Sequence, residues 1–459
     1  MKHNDIHDSD YSENTDQKNE KGEELNRRQF IQVGTAFGTT GIALGLSTLS
    51  EKKREIFTKI AKASSEKEMD EFPVTITDTC KQMNQKYTIF SRALWDEDLF
   101  LKMKERGKVS DRESMENEMG WTPLDRALSA AGWAIDHRFS TESENGQPNS
   151  PTYEWEGHVN RERIQFKDSN DANKKVKKAA RFLGASLVGI ADYDPLWTYN
   201  PLLIQKLEME GSHDGPPEFD LIPPEFPFEP KSVVVMAIEM DYKAIALSPS
   251  SIQGAATGLG YSGMSAVGFS VATFIRELGY KAFACGNDVS LSIPYAIAAG
   301  LGELGRNGML ITRDFGPRVR LVKVFTELEI QPDRPNLFGA WDFCQSCKRC
   351  AESCPSEAIP FDDEPTLEGQ TISNNPGVLK WYIDPEKCIQ FWEENGSCCA
   401  NCITSCPFNK PAMWHHQLIT GITALPFAPF HSVMAKMDKI FGYGDIYDMK
   451  GNGSFWEED

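Results

Sequence analysis

Two cysteine arrays constrain this chain more than anything else in it. The first, CQSCKRCAESCP, sets Cys344, Cys347, Cys350 and Cys354 at Cys-x2-Cys-x2-Cys-x3-Cys spacing and ends on Pro355. The second, CIQFWEENGSCCANCITSCP, supplies Cys388, Cys399, Cys402 and Cys406 before Pro407. A Cys-x2-Cys-x2-Cys loop turns three thiolates toward one iron–sulfur cube, while the fourth cysteine, stiffened by its proline, serves a neighbouring cube. Crossed ligation then predicts two 4Fe-4S clusters, one on Cys344, Cys347, Cys350 and Cys406, the other on Cys388, Cys399, Cys402 and Cys354. Zinc would accept the Cys-x2-Cys pairs and disulfides would consume them, but ferredoxin spacing matches both arrays better. Cys398 is an ambiguous neighbour. Cys80 and Cys285 read as free thiols or small packing residues.

An iron–sulfur chain needs a route for its clusters, and the N-terminus offers one. After a polar start, Arg27 and Arg28 lead an uncharged run from Val33 to Leu49, rich in Gly and Thr and short for a membrane span. Residues 1–63 read as a twin-arginine signal region, with cleavage after AKA at 61–63. That route exports folded chains, so thiolates already holding iron would escape disulfide chemistry. The 459 residues allow two or three domains, and a net charge of −19 argues against nucleic-acid partners.

Residues 64–170 form a mixed, aromatic segment. Within it Leu124, Leu128, Ala131 and Ile135 recur at helical spacing. From 171 to 334 the pattern changes: a basic-faced helix breaking at Gly184, a short apolar strand, the β-branched run KSVVVMAIEMDY, a helix in SAVGFSVATFIRELGY, a helix, glycine-rich turn and strand in YAIAAGLGELGRNGMLIT, and the alternating strand GPRVRLVKVFTEL. Alternating helices and strands predict an α/β sandwich around a central sheet. A ferredoxin-like segment at 335–410 and a tail at 411–459 complete an α+β chain.

Read together, the leader RRQF, the segments YTIFSRALWDED, GWTPLDRALSAAGWAI, GLGYSGMSAVGF, CGNDVSLSIPYAIAAGLGELGRNGMLIT and FGPRVRLVKVFTEL, and both cysteine arrays resemble the respiratory corrinoid/iron–sulfur reductive dehalogenases, of the tetrachloroethene-reducing kind. The resemblance implies a nitroreductase-like domain that binds a base-off corrinoid, fed electrons by the two clusters, and reductive removal of halide from a small organohalide. The chain has no Asp-x-His-x-x-Gly motif, so no histidine ligand to cobalt is expected and the corrinoid rests on the resemblance alone.

By the same resemblance Tyr261, in GLGYSGM, is the proton donor. A tyrosine is a reluctant acid unless a cation stabilises its phenolate; Arg320 is that expected cation, with Arg318 one strand alternation away and so on the opposite face. Asn287 would donate hydrogen bonds to the tyrosine oxygen or to departing halide, although Gly-Asn-Asp is also ordinary turn chemistry. Trp121, Trp392 and Cys398 are candidates for the substrate wall, with core packing the plainer account of Trp121. Thr257, Gly305, Asn307 and Met309 lie in glycine-rich stretches that would let backbone approach a large planar cofactor, though such glycines also cap helices. His415 and His416 read as surface residues.

Two rivals remain in view. An epoxyqueuosine-reductase-like enzyme shares the domain pattern, but the leader and the acidic charge oppose a tRNA-binding role. A periplasmic ferredoxin-type carrier would need little beyond the cluster segment. The family pattern adds expected partners, a small hydrophobic membrane-anchor protein and a quinone-linked electron-donor chain, at the outer face of the cytoplasmic membrane. The apolar LITGITALPFAPF could assist that attachment.

Overall fold

The structure, a computed structural model, describes residues 67–109, 118–139, 157–205, 219–410 and 455–457. The twin-arginine region, His415, His416 and the apolar tail stretch lie outside the described residues.

A four-stranded sheet sits at the centre. Its strands are β1 (Leu187–Asp192), β2 (Ser232–Glu239), β3 (Ala282–Cys285) and β4 (Val319–Thr326), in the order β1-β2-β4-β3, every neighbouring pair antiparallel. Four helices matter around it: α1 (Pro123–Phe139), α2 (Ser169–Phe182), α3 (Ser251–Glu277) and α4 (Ser292–Ala298). The strands alternate as their sequence requires. Val234, Met236, Val322 and Val324 join one buried layer with Val267, Val271 and Ile275 of α3 and Val176 of α2. Val233, Val235, Phe283 and Phe325 face the opposite layer with Tyr295 and Ile297 of α4. Two covered faces of β-branched and aromatic residues account for the fold, each buried side chain being worth about 1.5–3 kcal/mol.

Helix α2 ends where Gly184 takes φ +113°, the break expected there. Helix α3 differs from the sequence reading, which began it at Ser265. It starts at Ser251, capped by Ser250, whose hydroxyl accepts from Gln253 N–H, and it takes in the whole of GLGYSGM. The glycines therefore do not mark a loop. A Cβ on Gly258 would lie 2.4 Å from Trp133 Cδ1, and one on Gly260 would lie 2.9 Å from Arg320 Cγ. Close packing of α1 and β4 explains why helix-weakening residues occupy these positions.

The ferredoxin-like segment is built from α5 (Ala340–Ser346), α6 (Arg349–Glu352), α7 (Pro385–Asn395) and α8 (Asn401–Thr404). It is tied to the sheet domain by Ala400 N–H donating to Ser248 Oγ at 2.7 Å and Thr404 Oγ1 donating to the Ile245 carbonyl at 2.8 Å. The N-terminal mixed segment adds helices at Ile89–Trp95 and Glu97–Val109, the latter packed against α7.

Candidate functional site

Helix α3 sets out the site. Gln253, Thr257 and Tyr261 recur at i, i+4 and i+8 and so share one face. At the near end, Gln253 Nε2 donates to Thr257 Oγ1 at 2.8 Å and to Cys398 Sγ at 3.4 Å. At the far end, the Tyr261 hydroxyl receives Asn287 Nδ2 at 3.5 Å. A polar stripe thus runs from the second cysteine array to Tyr261 through an otherwise apolar core helix.

Tyr261 is framed on three sides. The Arg320 guanidinium carbon lies 4.8 Å from its ring centroid. Trp133 of α1 stacks on the ring, centroids 5.1 Å apart and planes at 22°, and continues the stack to His137 at 5.5 Å. Arg318 is elsewhere. It is almost fully buried, donating through Nη1 to Glu239 Oε1 at 2.6 Å and to the Met240 carbonyl, and through Nε to Asn409 Oδ1 at 3.0 Å. Asn287 takes its orientation from behind: Ser292 Oγ donates to Asn287 Oδ1 at 3.1 Å, and Lys323 Nζ donates to Ser292 Oγ at 2.6 Å. Lys323 is wholly buried, and burial lowers its pKa from the ordinary lysine value.

The other expected residues separate into two groups. Cys398 and Thr257 belong to the stripe. Asn307 meets the second cysteine array, Nδ2 donating to the Cys402 carbonyl at 3.4 Å while its Oδ1 accepts from Met309 N–H, and Met309 and Cys402 pack against the apolar cluster that holds Ile252 and Ala256. Gly305 shapes the tight turn before β-ladder residue Leu310; a Cβ there would lie 2.8 Å from Asn307 Oδ1. Trp121 is buried in the turn whose Gly120 carbonyl accepts from Ser251 N–H at the start of α3, and Trp392 on α7 faces Phe90, centroids 5.9 Å apart. Among the described residues no ring contact or hydrogen bond joins either tryptophan to Tyr261. Trp133 does make that contact, and sequence reasoning missed it.

The eight array cysteines crowd one another. Burial, then Cys344, Cys347, Cys406 and Cys402, hold the Cys350 thiol well above its ordinary pKa; burial, then Cys399, Cys388 and Cys354, do the same for Cys402. The larger influences on each thiol come from its expected quartet, and Cys402 of the other set reaches Cys350 as well. Burial pushes Cys388 up to about 12 and Cys344 and Cys399 up to about 11. All eight are free thiols. Cys344, Cys347, Cys350 and Cys406 are buried, and Cys354, Cys388, Cys399 and Cys402 half-buried.

Comparison with known proteins agrees with this arrangement. A 4Fe-4S dicluster domain matches residues 343–410. The tetrachloroethene reductive dehalogenase of Dehalobacter restrictus is 38% identical over 383 residues, covering 71% of this chain and 69% of that one. That of Sulfurospirillum multivorans is 33% identical over 386 residues, covering 76% and 74%. A solved reductive dehalogenase, whose structure suggests a mechanism for B12-dependent dehalogenation, superposes with a TM-score of 0.62 at 22% identity over 83% of this chain and 49% of that one. The chain therefore spans about half the length of that structural relative.

Proposed function

The chain belongs to the reductive dehalogenases, and on that footing we propose that it removes halide reductively from a small organohalide of the chloroethene kind. The observation that carries the reading is Tyr261 held between the Asn287 amide and the Arg320 guanidinium at the end of a polar stripe that begins at Cys398, the neighbour of Cys399.

The dicluster match and the family support iron–sulfur clusters and a corrinoid. The crossed cysteine quartets would hold the clusters. For the corrinoid, Gln253 Oε1 and Arg320 Nε are buried polar atoms without a partner; an amide-fringed macrocycle offers the donors and acceptors they lack, and Thr257, Asn307 and Met309 border the same stripe. When bound, the clusters and corrinoid would supply the two electrons that break the carbon–halogen bond.

The chain's own residues supply the rest. Tyr261 Oη holds the proton that replaces halide on carbon, so two electrons and one proton give the hydrogenated product and a halide ion. Arg320 stabilises the phenolate left behind, and the Asn287 N–H donates to the same oxygen. Trp133, stacked between Tyr261 and His137, fixes the orientation of the Tyr261 ring. The Arg27–Arg28 leader supports export by the twin-arginine route to the outer face of the cytoplasmic membrane, where a small hydrophobic anchor protein and a quinone-linked donor chain would be the partners.

The test is anaerobic purification with metal analysis and turnover of a chloroethene by reduced viologen. Two 4Fe-4S clusters and one corrinoid require about eight iron and one cobalt per chain. Tyr261→Phe should keep both metals and lose turnover by roughly 10²–10⁴-fold, the usual contribution of a positioned acid. Eight iron without cobalt, from a host able to supply corrinoid, would favour a simple electron carrier.

A further inference from the structure

Arg306 is fully buried, yet it lies outside the Tyr261 site. Its guanidinium donates to five backbone carbonyls: Nε to Cys344 at 3.0 Å and Cys347 at 3.1 Å, Nη2 to Gln345 at 3.2 Å, and Nη1 to Pro360 at 2.9 Å and Asp362 at 2.6 Å. It also lies over the Trp381 ring at 4.5 Å. All five acceptors are neutral carbonyls, so these bonds satisfy its donors without cancelling its charge. Three of them belong to the end of α5 and its cap, the segment that carries Cys344 and Cys347.

Three residues earlier, Glu303 is 3% exposed and only accepts, taking N–H bonds from Phe338 at 2.5 Å and from Ala340 and Trp341 at 3.1 Å. Burial raises the Glu303 carboxyl above its ordinary pKa and the backbone N–H groups of Phe338, Trp341 and Ala340 oppose that rise; acceptance of three N–H groups at the start of α5 is the arrangement that favours a carboxylate anion. Arg306 thus sets a positive charge, and Glu303 a negative one, against the segment that carries Cys344 and Cys347.

We propose that Arg306 raises the reduction potential of the cluster held by Cys344, Cys347, Cys350 and Cys406, with Glu303 opposing it. Reduction adds one electron, and therefore one negative charge, to that cluster from a low-potential one-electron donor. A buried, uncancelled cation favours the added charge and a buried anion disfavours it. Among the described residues no hydrogen bond joins this pair to the other quartet, so the effect falls mainly on one cluster.

The inference rests on the ligation proposed above, and iron content separates the two: a protein with fewer than about eight iron per chain fails the ligation, whereas eight iron with unmoved potentials fails only this assignment. The experiment is a redox titration of the anaerobic holoenzyme followed by electron paramagnetic resonance. Arg306→Gln should lower one of the two midpoints and leave the other in place. Arg306→Lys, which keeps the charge and loses the fork, should restore most of the shift. Glu303→Gln should raise that same midpoint. Opposite movements of a single midpoint are not what general loosening of the loop would give. If Arg306→Gln loses iron, Glu303→Gln decides the matter, and a midpoint that does not rise overturns the proposal.

Discussion

Arg320 presents its guanidinium to the Tyr261 ring at 4.8 Å, whereas Arg318, two residues earlier, is locked into Glu239, Met240 and Asn409. Similar side chains two positions apart should therefore fail differently. Arg320→Gln should fold normally and lose turnover on the order of 10²–10⁴-fold. Arg318→Gln leaves buried acceptors unsatisfied, at about 1–3 kcal/mol each, and should lower Tm while the fraction that folds stays active. Parallel kinetics and thermal melts distinguish them; the reverse pattern would move the phenolate partner to Arg318.

The Asn287 amide is aimed by its neighbours. With Ser292 Oγ donating to Oδ1, only Nδ2 can face Tyr261, and Lys323 holds Ser292 in turn. Ser292→Ala should lower kcat by about 10-fold, roughly one lost hydrogen bond, with little change in KM, and Ser292→Thr should recover it. Wild-type kcat in the alanine variant would mean that Asn287 needs no orienting partner.

The dicluster segment was legible because cluster ligation is a local rule, written in cysteine spacing and proline. The sheet was legible for a similar reason, since Val233 to Met236 and Leu321 to Phe325 alternate between two buried layers. Helix α3 was only half legible. Gly254, Gly258, Gly260 and Gly263 weaken a helix locally, and what justifies two of them is contact with Trp133 and Arg320 from distant parts of the chain. Trp133 itself stayed hidden because nothing local distinguishes a tryptophan stacked on Tyr261 from one in a core. The helices at Ile89–Trp95 and Glu97–Val109 were hidden for a related reason: packing against α7, rather than their own periodicity, holds them.

That packing has a buried ionic centre. Arg92 is 5% exposed and bonds Asp96 at 2.5 Å, Glu386 at 2.6 Å and Ser373 at 3.1 Å, tying the N-terminal segment to the helix that carries Cys388. Arg92→Ala should cost about 2–3 kcal/mol, less than the ~3–5 of a fully buried pair because both carboxylates keep some solvent. It should also speed iron loss to a chelator, read as bleaching of the cluster absorbance. A lower Tm with unchanged chelator kinetics would show that the two segments are mechanically independent.

Lys380 gives the fold a pH dependence with a definite sign. Burial lowers its pKa to about 8 from 10.5, against the smaller opposing effect of Cys80, and its Nζ lies 4.6 Å from the Tyr382 ring. In the unfolded chain the lysine keeps its proton up to 10.5; in the folded chain it releases it near 8. Between those values the unfolded state binds more protons, so the contribution of Lys380 to stability rises with pH, by up to about 1.4 kcal/mol per unit. Below that window the charged ammonium of this half-buried side chain, desolvated near the Tyr382 ring, destabilises the fold by a constant amount. Lys380→Met removes the titration, so its Tm should exceed that of wild type at pH 7, and the gap should narrow steadily from pH 8 to pH 10. Anaerobic melts across that range measure the gap directly. A gap that stays constant would place the ammonium in solvent and leave Tyr382, rather than charge burial, as what holds the side chain.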